Sequence, residues 1–187
     1  MRNTKQLIDI IGKFKDLKRQ GWVDKGVINP ESDAEHSFSL ALLAMLLAPD
    51  ELNKQKCLEL ALIHDLSEIY AGDHTPREDI SLQEKLQKEH AGMKQIANEL
   101  GQSGWLELFD EYNNKTTKES IFINALDKLD NVITAAYYDK NKRSSQKLTL
   151  EFGKYANVKI NELGNNELLD EIKEILQEIS QANLVTD

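Results

Sequence analysis

Apolar residues recur at spacings of three and four along nearly the whole chain, and no sustained two-residue alternation of β-branched residues interrupts them. Spacings of three and four place side chains on one face of an α-helix, whereas alternation indicates a strand. Glycine and proline are scarce, at nine and three of 187 residues. The pattern therefore predicts an all-α chain.

Capping boxes mark three of the predicted helix starts. In this motif a Ser or Thr is followed three residues later by Glu, and each side chain caps a backbone N–H of the other residue. The three helices run from Ser32 and Glu35 to about Ala48, from Ser81 and Glu84 to about Leu100, and from Thr116 and Glu119 to about Tyr138. Further helices are predicted over about Thr4–Arg19, over about Lys54–Tyr70 with a C-cap at Gly72, and from Glu167 onward.

Three stretches, residues 37–48, 57–70 and 121–138, are apolar around most of the helix circumference. Helices of this kind belong in a protein interior, whereas the charged faces of 81–100 and 167–180 belong outside. No repeat, low-complexity tract or linker divides the chain, so residues 1–187 are expected to form one helical bundle. The longest irregular stretches, Gln20–Pro30 and Gly72–Ile80, are loops of the kind that commonly carry function.

Composition narrows the possible partners. The chain carries 23 basic and 32 acidic residues, for a net charge of −9. This charge disfavours a general nucleic-acid binder, which needs a basic face to meet phosphates. The single cysteine, Cys57, rules out an internal disulfide framework and lies in an apolar stretch, where a small buried hydrophobe is expected.

The sequence also predicts a cytoplasmic protein without membrane contact. Its first twenty residues alternate charged and apolar residues and lack the apolar centre of a signal peptide. The longest apolar run, "LALLAMLLA" from Leu40, is too short to span a bilayer.

Each of the three interior helices carries a histidine or an aspartate among apolar residues. His36 lies in the first turn of one helix, His64 and Asp65 near the end of the next, and Asp127 in the third. Two imidazoles and two carboxylates suit a borderline divalent cation such as Mn²⁺, Co²⁺, Zn²⁺, Ni²⁺ or Fe²⁺ better than Ca²⁺. A metal site between the central helices would also offset the buried carboxylate charge.

Taken one at a time, these residues have ordinary explanations. A single histidine such as His36 is usually a hydrogen-bonded core residue, and Asp127 could simply pair with Lys128. Glu35 could be only the second half of its capping box. The joint occurrence on three buried helices favours metal binding.

The order of His36, His64-Asp65 and Asp127 resembles the HD-domain metal-dependent phosphohydrolases, which are named after the His-Asp doublet. The segments "GWVDKGVINPESDAEHSFSLALLA", "IHDLSEIYAGDHTP" and "ESIFINALDKLDNVITAAYY" are similar to the 5'-deoxynucleotidase group of that family. The likeness extends over roughly residues 15–140. It implies an all-α fold, a homodimer, a divalent metal and hydrolysis of nucleoside 5'-monophosphates to nucleoside and phosphate.

The resemblance also implies roles for individual residues. The residues that match the family's metal ligands are His36, His64, Asp65 and Asp127, and the cation candidates are Mn, Co, Mg, Zn, Ni and Fe. Glu68 matches the catalytic glutamate. Asp73 matches a residue near the substrate sugar and phosphate, where it could assist the departing 5'-oxygen.

Substrate contacts are expected from the loops on either side of the predicted metal site. The candidates are Arg19, Trp22, Asp73, His74 and Thr75. Trp22 matches a tryptophan of the family's substrate pocket, although packing as a lid on the core is an equal alternative. Gly21 precedes it where the bacterial deoxynucleotidases have arginine, and "HTP" follows Asp73 where the family more often has an apolar residue. Both departures affect substrate choice.

Phosphate monoesters hydrolyse so slowly that general acid–base help, worth about 10²–10⁴-fold, cannot suffice without a metal. Glu68 could orient or deprotonate the attacking water. Alternative functions are a cyclic-nucleotide or dinucleotide phosphodiesterase, a dNTP triphosphohydrolase, or a non-catalytic metal-binding scaffold. The scaffold is disfavoured because a structural metal would need neither Glu68 nor Asp73.

Overall fold

The computed structural model describes residues 4–75, 80–164 and 166–184. All of the regular elements in these ranges are α-helices, which confirms the all-α prediction. In chain order they are α1 (Thr4–Asp16), α2 (Gln20–Asp24), α3 (Asp33–Leu47), α4 (Lys54–Ile63), α5 (Glu68–Ala71), α6 (Leu82–Leu100), α7 (Gly104–Asn114), α8 (Lys118–Lys140), α9 (Leu148–Glu162) and α10 (Asn166–Leu184).

The longest helix, α8, lies at the centre of the fold and contacts α3, α4, α7, α9 and α10. Its apolar side chains are fully buried at positions such as Leu126 and Leu129, where they join Leu40 of α3 and Leu60 of α4 in the main core. This arrangement brings the polar residues of α3, α4 and α8 together at one end of the core.

One of the three predicted capping boxes is complete, with Ser32 and Glu35 each bonded to the backbone of the other, and a second is formed only in its Ser81 half. The Ser32 side chain accepts a hydrogen bond from the backbone N–H of Glu35, and Ser81 does the same for Glu84. The third prediction is wrong by one residue, because Thr117 and Ser120 cap α8 instead of Thr116 and Glu119. The Glu119 carboxylate instead accepts a hydrogen bond from the backbone N–H of Asn53, the residue before α4.

The helix predicted over 54–70 is interrupted. It ends at Ile63, and residues 64–67 form a turn before α5 starts at Glu68. The N–H of Glu68 bonds to the carbonyl of Asp65, which tightens this turn. Successive residues in a regular helix point about 100° apart, so the interruption lets His64 and Asp65 face one site. The predicted C-cap is confirmed at Gly72, whose φ is 85°.

Other boundaries also differ from the predictions. Helix α1 ends at Asp16 rather than Arg19, and the stretch predicted as an irregular loop over 20–30 contains α2. Helices α7 and α9 were not predicted. Residues 72–75 have no regular structure as predicted, while 76–79 of that loop lie outside the described residues.

The prediction that α3 is buried on all sides is wrong for one face. Phe38, Leu42, Met45 and Leu46 are between 45% and 69% exposed. Among the described helices, none combines the length and the apolar character needed to cross a membrane.

Candidate metal centre

Two buried imidazoles face each other at the end of the core. The Nδ1 of His36 lies 2.7 Å from Asp130, whose other oxygen accepts a hydrogen bond from Ser39. The Nδ1 of His64 lies 2.9 Å from the carbonyl oxygen of Ala61. Since both Nδ1 atoms donate to an oxygen, each histidine presents its Nε2 as a ligand atom. The two Nε2 atoms are 3.2 Å apart.

Two carboxylates complete the group. An oxygen of Asp65 lies 3.0 Å from His64 Nε2 and 3.8 Å from His36 Nε2, and an oxygen of Asp127 lies 3.3 Å from His36 Nε2. Ligand atoms about 2.1 Å from one ion and at right angles to each other are about 3 Å apart. The spacing of His36, His64 and Asp65 therefore fits a single cation, and Asp127, which lies against His36, could add a second oxygen ligand. The structure brings together all four residues predicted as metal ligands.

The charges of this group suit a cation as well. Burial opposes protonation of His36, but its hydrogen bonds to Asp127 and Asp130 prevail and raise its pKa to about 9. Burial likewise opposes ionisation of Asp127, yet the charge of Lys128 and the hydrogen bond with His36 hold its pKa well below the ordinary value. A proton on His36 thus supplies positive charge that a metal ion would replace, with release of that proton.

Polar neighbours hold the two carboxylates in place. Arg19 donates to Asp65 over 2.6 Å and to the side-chain oxygen of Asn131 over 3.2 Å. Asn131 in turn donates to the Asp127 carboxylate. Lys128 pairs with that same carboxylate at 2.6 Å, so the Asp127–Lys128 ion pair considered from the sequence is present inside the site.

A second group of carboxylates lies beside the first. Asp33, Glu68 and Asp73 each place one oxygen within 4.8 Å of the others. Asp33 is fully buried, and neither of its carboxylate oxygens accepts a hydrogen bond from a described residue. One carboxylate oxygen of Glu68 is likewise buried without a hydrogen bond from a described residue. Burial and then the charge of Asp65 raise the pKa of Asp33 to about 7. Oxygen ligands of this kind suit a hard cation such as Mg²⁺ or Mn²⁺.

All five predicted substrate contacts line one cavity of about 250 Å³, which we call the inner cavity. Its walls also include three further polar side chains that the sequence did not single out as substrate contacts, Lys85, Lys128 and Asn131. The backbone N–H of Gln20 donates to Asp73 over 2.5 Å and ties that loop to the start of α2.

Trp22 is 1% exposed, and its ring packs against Phe152 while its Nε1 donates to Glu31. Trp22 is therefore packed in the core, and it also lines the inner cavity.

Besides these cavity residues, sequence reasoning missed two residues around the proposed metal ligands. Asp33 has the pattern of an ordinary acidic residue in the first turn of α3, where its negative charge interacts favourably with the helix dipole. Tyr112 reads as a core aromatic, but its hydroxyl donates to Asp127 over 3.2 Å and its ring lies 5.1 Å from that of His64. The one available signal was that Asp33 lies three residues before His36, a spacing that places both on neighbouring positions of one face of α3.

The chain is similar to known proteins over most of its length. The HD domain family model matches residues 11–180. The human protein named 5'-deoxynucleotidase HDDC2 is 35% identical over 141 residues, covering 74% of this chain and 69% of that protein. The Dictyostelium discoideum protein of the same name is 36% identical over 151 residues, covering 75% and 80%. A solved structure of a conserved hypothetical protein from Pyrococcus furiosus superposes with a TM-score of 0.78 at 29% identity, covering 96% of this chain and 99% of the other.

Proposed function

Since the chain belongs to the HD domain family, we propose that it is a metal-dependent phosphohydrolase that cleaves (deoxy)nucleoside 5'-monophosphates to nucleoside and phosphate. The observation that carries the proposal is the group of His36, His64 and Asp65, whose ligand atoms are 3.0–3.8 Å apart, with Asp127 3.3 Å from His36 and a cavity with cationic walls beside them. The relatives named 5'-deoxynucleotidase support the same substrate class.

In this proposal the four residues hold a divalent cation. When bound, such an ion lowers the pKa of a coordinated water and offsets charge on phosphoryl oxygens. Glu68 takes a proton from the attacking water. Burial and the charges of Asp65 and Asp73 raise the pKa of Glu68 well above its ordinary value, which brings this carboxylate closer to the range of an effective general base.

The inner cavity holds the phosphate and sugar. Arg19, Lys85 and Lys128 bring positive charge to its wall. Each of them already contacts an acidic residue: Asp65, Glu89 and Asp127 respectively. Little cationic charge therefore remains for a long polyphosphate, which favours a monophosphate over a triphosphate. In this proposal Asp73, which lines the cavity, orients the sugar or assists the departing 5'-oxygen.

The test is phosphate release from a panel of ribo- and deoxynucleoside monophosphates, triphosphates and cyclic nucleotides, each with added Mn²⁺, Co²⁺, Mg²⁺ or Zn²⁺. We expect release from monophosphates, and its loss in His64→Ala and Asp65→Ala with the helical circular-dichroism spectrum retained. His90→Ala is the matched control, because His90 lies on α6 with its side chain 48% exposed. Full activity in both ligand variants would disprove the proposal, and activity confined to triphosphates or cyclic nucleotides would redirect it.

The exposed apolar face of α3 supports the further proposal that the protein is a homodimer. Contiguous apolar surface of this kind commonly marks an interface. Light scattering should report a dimer for the natural chain and a monomer for Phe38→Glu combined with Met45→Glu. Leu82→Glu, at an apolar position of α6 that is 74% exposed, should leave the mass unchanged. A cytoplasmic location remains a prediction from the sequence.

A further inference from the structure

A second cavity lies directly beside the inner one. It has a volume of about 410 Å³, and we call it the outer cavity. Gly21, Thr75, Phe152 and Tyr155 line both cavities, so the two share one wall. A ligand that enters the inner cavity with one end can therefore extend into the outer cavity with the other.

The two cavities differ in chemistry. Three cationic side chains line the inner cavity, whereas the outer cavity is formed largely by the aromatic side chains of α9 and the open backbone of Gly21. The charged residues of the outer cavity are mostly occupied with neighbours. Lys25 pairs with Glu151, and Asp24 accepts hydrogen bonds from Gln20 and Thr75. The faces left for a ligand are therefore aromatic and neutral.

The two aromatic side chains are held differently. Phe152 packs against Trp22 with ring centroids 4.4 Å apart, which anchors it in the core. Tyr155, one turn further along α9, is 52% exposed. Opposite α9, a Cβ added to Gly21 would meet no other atom within 4 Å, so there is open space in front of the glycine. Among the described residues, the outer cavity thus offers an aromatic face from α9 and, at Gly21, a wall position without a side chain.

We infer that the outer cavity binds the nucleobase of the substrate and that Tyr155 is the side chain on which the base stacks. The inference rests on the proposed function, since the phosphate and sugar must occupy the inner cavity. Every base has a π-face, and stacking on an aromatic ring tolerates all of them. The enzyme should therefore accept several bases while depending strongly on the presence of a base.

The test compares dAMP with 2-deoxyribose 5-phosphate, which has the same phosphate and sugar but no base. Tyr155→Ala should lower the ratio of kcat/KM for dAMP to that for deoxyribose 5-phosphate by at least about fivefold, the lower end expected for loss of one stacked base. Tyr155→Phe keeps the ring and should restore the ratio. Val158→Ala is the matched control, because Val158 lies on the same helix, is 54% exposed and lines neither cavity.

A binding measurement makes the inference independent of turnover. Calorimetry with 2'-deoxyadenosine should show the same loss of affinity in Tyr155→Ala, whereas inorganic phosphate should bind the variant and the natural chain alike. Gly21→Leu is a second variant: its Cβ would meet no described atom within 4 Å, and its side chain narrows the outer cavity, so it should also weaken binding of deoxyadenosine.

An unchanged substrate ratio in Tyr155→Ala, or an equal loss with both substrates, would overturn the inference. Unchanged deoxyadenosine affinity in both variants would do the same. Absence of phosphate release from every nucleotide would instead refute the proposed function, and the calorimetry would still decide whether the outer cavity binds a nucleoside.

Discussion

At the scale of single residues, Asp33 has the most costly environment in the site. Its carboxylate is fully buried and accepts no hydrogen bond, and Arg19 lies 4.0 Å from one of its oxygens. A buried charge without partners destabilises a fold unless it is neutralised by a proton or a metal ion. The raised pKa of Asp33 and the group it forms with Glu68 and Asp73 both follow from that environment.

These shifts predict how the metal-free protein responds to pH. Asp33 has a pKa of about 7 in the folded chain, against an ordinary value of 3.8. Between these two pH values the folded chain keeps a proton on Asp33 that the unfolded chain releases, so the stability of the fold decreases as pH rises through this range. His36, with a folded pKa of about 9 against an ordinary 6.5, contributes stability that is full below 6.5 and is lost as pH rises through 9. In the presence of a chelator, Tm should therefore fall between pH 5 and pH 9.

Asp33→Asn should reduce this slope and raise the Tm of the metal-free protein at pH 8, because it removes the buried charge. Asp50→Asn serves as its control, since the Asp50 side chain is 99% exposed. A metal-free Tm that rises between pH 5 and pH 8 would contradict the assignment. The low pKa of Asp127 affects stability only in more acidic solution, as pH falls below the ordinary value of 3.8.

Glu68→Gln separates metal binding from turnover. The amide has nearly the same shape but cannot take a proton from water, so we expect kcat to fall about 10²–10⁴-fold. The ion held by the histidine group should remain, as measured by elemental analysis of the purified variant. Glu84→Gln, at a half-exposed position of α6, is the comparison that should keep full turnover. Turnover close to that of the natural chain in Glu68→Gln would remove this residue from the chemistry.

At the scale of elements, the turn between α4 and α5 is held by a close approach of α6. A Cβ added to Gly92 would lie 2.7 Å from the carbonyl oxygen of Ser67, too near for any residue except glycine. The turn at 64–67 thus packs directly against the backbone of α6, and this contact sets the position of Glu68.

Gly92→Ala should therefore be destabilising although alanine is the better helix former. Overpacking typically costs about 1–3 kcal/mol, which exceeds the gain of about 1 kcal/mol in helix propensity. Urea denaturation should show the loss, and phosphate release should fall with it because Glu68 is displaced. Gly12→Ala in α1 is the matched control: its Cβ would meet nothing within 4 Å, so equal or greater stability is expected. A Gly92→Ala variant with unchanged stability and activity would show that α6 can move away freely.

The same contact explains one limit of prediction from sequence. Local spacing over 54–70 is that of a single helix, and only packing against α6 and the site reveals the turn within it. The predicted start of α8 is wrong by one residue for a similar reason, since the Glu119 carboxylate accepts a hydrogen bond from the backbone N–H of Asn53 in another segment. Elements whose ends depend on local residues, such as Ser32 with Glu35, were predicted correctly.

At the scale of the whole molecule, the candidate metal site joins helices that are far apart in sequence. His36 and Asp127, whose side chains lie 3.3 Å apart, are separated by 90 residues of chain. The four proposed ligands were recognisable because histidine and aspartate are rare inside apolar helices. Asp33 and Tyr112 were not, since residues of these types at such positions are common without any site.

A site of this kind should link metal binding to global stability. A ligand that binds only the folded chain stabilises it by about 2.7 kcal/mol at a free concentration 100 times its Kd. Thermal unfolding with added Mn²⁺ should show a corresponding rise in Tm that a chelator reverses. The increase should disappear in His64→Ala, and an equal increase in that variant would place the ion elsewhere.

Helix α9 contributes two aromatic side chains to the cavity walls but none of the proposed metal ligands. In the inferred binding mode, mutations on this helix alter how the base is held while the groups proposed to activate water stay in place. During evolution, such a division lets duplicated copies of the gene diverge in substrate choice one residue at a time. Each intermediate would keep its hydrolytic chemistry, so new specificities are reachable without an inactive step.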